Sequence, residues 1–338
     1  MVDTGPATAV RVQPAFEDPD GVMALILTSG PYHPLARDAR SGNEREAGGG
    51  RGGSVFVPPW FRRDFATFGE VHVDGAETML YNDRFTDAAL RVFGPKALIE
   101  PSTVYVNVMG PCDYPFIAHV DVPVFRGASR RNAPVWLLHL MHASRLFEDE
   151  RVHLATAVSW FFGGPGGDFH YWPDGPDARS VVESPPFENV AVVADNELTY
   201  HGVSPVGADG VEPLTAALTL DAELAHDPVT AVWAIRDRGE IVADYDAGVV
   251  RTTVSWKAQV YADEQERDLV RSGDDALQLA TIVDRFQADL AARGLTVADP
   301  SDPLADERWM TVLAEAYRRS APRVPPAAER GPGQSRGK

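Results

Sequence analysis

The sequence predicts a mainly β chain with a jelly-roll core, two antiparallel sheets folded over each other, and helices packed against it. Three observations lead there. Short β-branched and aromatic runs recur through the middle of the chain, each bounded by Gly, Pro, Asn or Asp. Their number suits a double-sheet roll, an arrangement that shelters sheet edges. Beyond residue 261 the period changes to the i, i+3, i+4 spacing of amphipathic helices.

Taken in order, residues 103–109 alternate and are rich in valine, so they read as a half-buried strand. Residues 117–125 follow as a strand, then the aromatic strand 153–162, which ends in the glycine run 163–167. Residues 189–194 carry a continuous apolar run after Asn189, as expected of a strand covered on both faces. Strands at 214–220, 230–236 and 249–261 complete the set. Helices are predicted at 85–93, 134–147, 262–293 and 307–319, the last with Asp302 and Pro303 near its start. The expected organisation is a flexible N-terminus over 1–14 and one domain over 15–322. That domain has a β core at 100–261 and C-terminal helices within 262–320 that act as buttresses. The Pro/Gly/Arg-rich residues 323–338 read as a disordered tail, and 38–54, rich in glycine and charge, as a flexible insert.

Composition narrows the partners. A formal charge of −18 argues against nucleic acid, whose phosphates such a surface repels. The single cysteine, Cys112, excludes an internal disulfide framework and a cysteine-based zinc or iron–sulfur site. No basic stretch leads into an apolar core at the N-terminus, and the run 22–27 is too short to span a bilayer. The expectation is therefore a cytoplasmic protein with a small-molecule partner, no nucleic acid and no membrane; composition does not speak to oligomeric state.

The chemistry concentrates at His119-Val120-Asp121 and at His201, eighty residues further on. Two imidazoles and one carboxylate form the set that holds Fe(II) on one face and leaves the other open. At i and i+2 on a strand, His119 and Asp121 point to the same side. The turn signal Asp195-Asn196-Glu197 leads the chain into the strand of His201, and Gly202 lets backbone pack close to the site. His170, beside the glycine run, is a rival third ligand or a pocket residue. His139 and His142, at i and i+3 on a predicted helix, lack an acidic partner at helical spacing and read as structural. His33, His72, His153 and His226 carry no supporting pattern.

With a basic residue downstream, this pattern resembles the 2-oxoglutarate and Fe(II)-dependent dioxygenases over residues 100–261. The resemblance implies a double-stranded β-helix, cupin-like core, with Fe(II) held by His119, Asp121 and His201. It further implies 2-oxoglutarate as cosubstrate with O2, its far carboxylate gripped by Arg251 with Thr253, and Tyr105 and Asn107 as further contacts. The implied reaction is hydroxylation of a small molecule, such as an amino-acid derivative or secondary metabolite, with release of succinate and CO2. Desaturation and ring closure share its first steps. Asp121 stands where related halogenases have Gly or Ala, which disfavours halogenation. In many members the arginine follows the distal histidine by about ten residues, whereas here fifty separate His201 from Arg251, so residues 222–248 read as an insertion with a hairpin at 237–240. Lys257 and Arg126 are the alternative anchors. Trp160, Phe162, His170 and Trp172 flank the glycine run as candidate substrate residues. Two other classes stay open: a cupin-like metal enzyme that does not use 2-oxoglutarate, and a non-catalytic jelly-roll binding protein.

Overall fold

A computed structural model describes residues 9–35, 59–207, 218–295 and 298–325. The proposed flexible insert at 38–54 and residues 214–217 of the strand expected at 214–220 lie outside these residues, as do 1–8 and 326–338.

The chain is mainly β, with large antiparallel sheets and a few helices. The larger sheet is built on β1 (Val10–Val12), β2 (His33–Pro34), β3 (Trp60–Thr67), β5 (Leu98–Met109), β8 (Arg151–Phe161), β11 (Ala191–Ala194) and β16 (Arg251–Tyr261), with the short β4 (Glu70–Val71) and β7 (Val124–Phe125) attached to β3 and β8. Its order is β1-β11-β8-β16-β5-β3-β2. The smaller sheet has the order β10-β9-β12-β6, from β6 (Phe116–His119), β9 (Phe169–Trp172), β10 (Val181–Glu183) and β12 (Tyr200–Val203). Strands β13 (Glu223–Asp227), β14 (Val232–Asp237) and β15 (Glu240–Asp246) form a third sheet between β12 and β16 in sequence. It occupies the residues read as an insertion, and the hairpin expected at 237–240 is present. Its β14–β15 turn has positive φ at Arg238 and Gly239, the backbone that matches the twist of a tight hairpin.

Residues 10–12 do not belong to a flexible terminus. Val10, Arg11 and Val12 pair with Val193, Val192 and Ala191, closing the edge of the large sheet. The unpaired backbone groups of β11 supply the reason, because an open strand edge is satisfied by another strand. Strand β3 and helix α1 (Pro19–Thr28) were also not anticipated; Pro at the start of α1 and the Asp18 side chain, which accepts from the Gly21 N–H, explain where that helix begins.

Period two explains how the large sheet serves two neighbours. On β16, Val254, Trp256, Ala258 and Val260 join the main apolar core, while Arg251, Thr253 and Ser255 line a cavity on the other face. On β5 the division falls between Val104, Val106 and Val108 on the core side and Tyr105, Asn107 and Met109 on the cavity side. Helices α2 (Glu77–Leu80) and α3 (Asp83–Phe93) cover the core face, and the Trp256 indole N–H donates to the Leu80 carbonyl at 2.7 Å. The smaller sheet covers the cavity face: Phe169, Tyr171 and Val203 share an apolar cluster with Val158, Trp160 and Val192 of the large sheet.

A separate cluster joins α4 (Val135–Ser144), α6 (Leu279–Ala292) and α7 (Glu307–Tyr317) through Leu138, Met141, Phe286, Leu290, Trp309 and Leu313. The helical region expected at 262–293 is two helices, α5 (Glu264–Ser272) and α6, because Gly273 ends the first in the left-handed conformation. Beyond α7 the chain returns to the smaller sheet, where the Ser204 hydroxyl donates to the Pro325 carbonyl. Among the described residues no helix is long and apolar enough to cross a membrane.

Candidate metal centre

The cavity between the sheets has a volume of about 400 Å³, within the range of small-molecule sites. His119, Asp121 and His201 stand together on its wall, with one donor atom from each lying within 4.8 Å of the others. The two histidines are eighty-two residues apart but directly opposite each other on β6 and β12, with ring centroids 4.4 Å apart. Asp121 Oδ1 is 3.8 Å from His201 Nε2.

Two local features deliver this geometry. Strand β6 ends at His119, so Asp121 lies beyond the strand and not within one continuous strand to residue 125. Its N–H instead donates to the Asn196 carbonyl at 2.8 Å, fixing it to the turn that precedes β12. The β6–β12 register shifts, with Val203 opposite Phe116 and His201 opposite His119, so three residues of β12 lie opposite four of β6. This bulge brings both Phe116 and His119 to the cavity despite their spacing. Gly202 is required there: a Cβ would sit 2.9 Å from the Phe116 carbonyl oxygen and 2.5 Å from a Val324 methyl.

The imidazoles are held alike. His119 Nδ1 is 2.9 Å from the Ile117 carbonyl and His201 Nδ1 is 3.1 Å from that of Thr199. A carbonyl only accepts, so each Nδ1 carries the proton and each Nε2 keeps a lone pair toward Asp121. Burial, then His119, pushes His201 down to about 4, so it stays neutral at ordinary pH. Burial opposes charge on Asp121, but Lys257, His201 and His119 outweigh it and hold its carboxyl well below the usual range. Lys257 Nζ donates to Asp121 Oδ2 at 2.5 Å and to Thr156 Oγ1 at 3.2 Å.

Arg251 is buried on the same cavity. Its Nε donates to the Gly167 carbonyl at 2.9 Å and its Nη1 to Thr253 Oγ1 at 2.7 Å, while Nη2 has no hydrogen-bond partner. Burial without a carboxylate in contact lowers its pKa to about 9. Asn107 Oδ1, directly opposite Arg62 of β3 and Thr253 of β16, is likewise buried without a partner.

Of the residues singled out by sequence, His119, Asp121, His201, Arg251, Thr253, Tyr105, Asn107 and Trp160 all line the cavity. Phe162, His170 and Trp172 do not. Alternation on β9 turns Phe169 and Tyr171 inward and His170 and Trp172 away, and His170 Nε2 meets Ser204 Oγ at 2.9 Å. His170 is therefore no rival ligand. Arg126 is held by Asp275 at 2.7 Å, and Lys257 by Asp121, so of the three candidate anchors Arg251 alone makes no ion pair. His139, read as structural, lines the cavity with Arg130. Trp60, Arg62 and Phe116 were missed: they come from elements whose cavity face only the strand pairing reveals.

No family model matches the chain, and no curated protein matches it. Solved structures with a similar trace include an oxidoreductase of the 2OG-Fe(II) oxygenase family from Burkholderia pseudomallei, at 12% identity and a TM-score of 0.38 over 74% of this chain and 84% of that one. Another is a prolyl hydroxylase from Trichoplax adhaerens in complex with a hypoxia inducible factor peptide, at 12% and 0.35 over 79% and 88%. A third is HygX from Streptomyces hygroscopicus with nickel, 2-oxoglutarate and hygromycin B bound, at 9% and 0.34 over 75% and 83%. At these identities and scores neither fold nor function passes from those chains to this one.

Proposed function

We propose that the chain is an Fe(II)- and 2-oxoglutarate-dependent oxygenase that hydroxylates a small molecule. One observation carries this reading: a two-histidine, one-carboxylate cluster and a buried arginine whose Nη2 has no hydrogen-bond partner share a single cavity. The strand winding agrees with a double-stranded β-helix. Counting β5, β6, β8, β9, β10, β11, β12 and β16 as one to eight, the sheets run 6-3-8-1 and 5-4-7-2, successive strands wrapping around both sheets.

The residues fit the groups the reading requires. Imidazole nitrogen and carboxylate oxygen are the donors that suit non-haem Fe(II), and three of them on one wall leave the cavity side open. Arg251 Nη2 and the Thr253 hydroxyl offer a fork for the distal carboxylate of a dicarboxylic acid. When bound, iron and 2-oxoglutarate together supply the oxidising chemistry, with O2 consumed and succinate and CO2 released. The chain's part is to orient. Lys257 fixes one oxygen of Asp121, leaving Oδ1 toward His201. Trp160, Phe169 and Phe116 keep the wall apolar around the reacting region.

Anaerobic addition of Fe(II) and then 2-oxoglutarate is expected to raise a visible charge-transfer band, and His119→Ala or Asp121→Ala to abolish both the band and succinate release while the fold persists. Activity retained in both variants removes them as ligands. Arg251→Ala is expected to raise the 2-oxoglutarate requirement at least tenfold, since a charge-assisted bidentate contact contributes about 1.5–3 kcal/mol. An unchanged requirement moves the anchor elsewhere.

A further inference from the structure

The cavity is charged in the opposite sense to the molecule. The chain has a formal charge of −18, yet among the described residues the lining holds Arg62, Arg130 and Arg251 against one carboxylate, Asp121. Lys257 already meets that carboxylate.

The cations stand on two walls. On the large sheet Arg62, Asn107 and Thr253 occupy one row across β3, β5 and β16, with Arg251 one row along. The Arg62 guanidinium lies over the Tyr105 ring, 3.6 Å from its centroid, and its Nε donates to Asp64 at 2.9 Å. Arg130 lies in the segment that leads into α4, exposed at the cavity and close enough to His139 to depress the pKa of that imidazole, an effect second to burial. No described carboxylate pairs with Arg130.

Resting on the oxygenase reading, the charges can be followed. A ferrous ion and a 2-oxoglutarate dianion cancel, as do Lys257 with Asp121 and Arg62 with Asp64. Asp168, outside the lining, partly offsets Arg251, and Arg130 is left without an acidic side chain in the lining to balance it. Surplus charge in a partly enclosed, low-dielectric space favours a ligand of opposite sign.

We infer that the small molecule taken by this site is an anion, bearing a carboxylate or a phosphate that docks against Arg130, with Arg62 lining the same cavity. The guanidinium fork suits either oxyanion. Trp60, Phe116 and Phe169 present the apolar surface that receives the rest of the molecule.

The test is calorimetric binding to the full chain loaded with Mn(II) and saturating 2-oxoglutarate, using matched acids and neutral mates. The pairs are 3-phenylpropionate against its amide, and phenyl phosphate against phenol. At least one acid is expected to bind about tenfold or more tightly than its mate, and the pair that discriminates identifies the oxyanion. Arg130→Glu is expected to erase the preference. Acids and mates binding alike, no acid binding, or a preference that survives Arg130→Glu overturns the inference. If 2-oxoglutarate itself does not bind, the oxygenase reading fails separately, and the same comparison on the Mn(II)-loaded chain still decides whether the cavity prefers anions.

Discussion

Lys257 is one of three lysines in a chain that otherwise uses arginine, and it is partly buried against Asp121. Burial works against its charge, yet Asp121 raises its pKa, so the pair is a true ion pair in the metal-free chain. A divalent ion at Asp121 would meet a positive neighbour. Lys257→Met removes that repulsion and leaves the carboxylate without a partner until metal arrives. The variant is therefore expected to have a lower melting temperature without metal and to bind Mn(II) about tenfold more tightly, a shift of about 1.4 kcal/mol that is modest for charges this close. Melting with and without Mn(II), together with a metal titration, checks both halves; weaker metal binding would show that Lys257 orients Asp121 more than it competes. Gly202 makes a second demand at this scale. Gly202→Ala forces a methyl against the β6 backbone at Phe116, so metal affinity should fall with a smaller loss of stability.

At the scale of the element, the turn from Asp195 to Thr199 determines where the site forms. Its Asn196 carbonyl holds the Asp121 N–H, and its Thr199 carbonyl holds the His201 ring. Arg151 of β8 anchors the turn from behind: its guanidinium bonds Asp195 and Glu197 at 3.1 Å and His153 at 2.7 Å, all buried. Burial opposes these charges, but Asp195 and Glu197 keep Arg151 protonated, while burial and Asp195 push Glu197 well above the usual carboxylate range. Arg151→Met leaves Asp195 buried without its cation, which costs about 3–5 kcal/mol. Loss of the turn's anchor should weaken metal binding about 10–100-fold, as for other groups that orient ligands. Denaturant unfolding and metal titration of the variant read the two effects separately; normal metal affinity in a destabilised variant would confine Arg151 to folding. The turn itself was legible from Asp195-Asn196-Glu197, and so were β5 and β16 from their alternation and β8 from its β-rich, aromatic run. The β6 bulge was not legible, because a register shift is a property of two strands eighty residues apart. The placement of His170 failed for a related reason: alternation says that neighbours on β9 face opposite ways, but which of them faces inward depends on the sheet across the cavity.

Across the whole molecule, the site lies between a large sheet backed by α2 and α3 and a helical cluster that reaches the cavity through Val135 and His139 of α4. The same helix carries His142, buried beside Arg151 and 4.0 Å from Glu148. Burial first, then Arg151, pushes its pKa down to about 4, with Asp195 opposing. Above about pH 6.5, the ordinary histidine value, both folded and unfolded chains keep this imidazole neutral, and its contribution is fully present. As pH falls from 6.5 toward 4 the unfolded chain takes up a proton that the folded chain refuses, so stability is lost across that window. For one group the loss is at most about 3 kcal/mol by linkage, and less where Glu148 compensates. His201, also held near 4, adds a similar slope in the metal-free chain. His142→Leu should therefore retain part of the wild-type pH dependence and lose the rest. Unfolding free energies of the metal-free proteins, measured from pH 7 to 4, should converge as pH falls, with the variant falling less. Parallel curves would mean that α4 accommodates a charged imidazole at position 142, and that the helical cluster backing the site opens more readily than its packing implies.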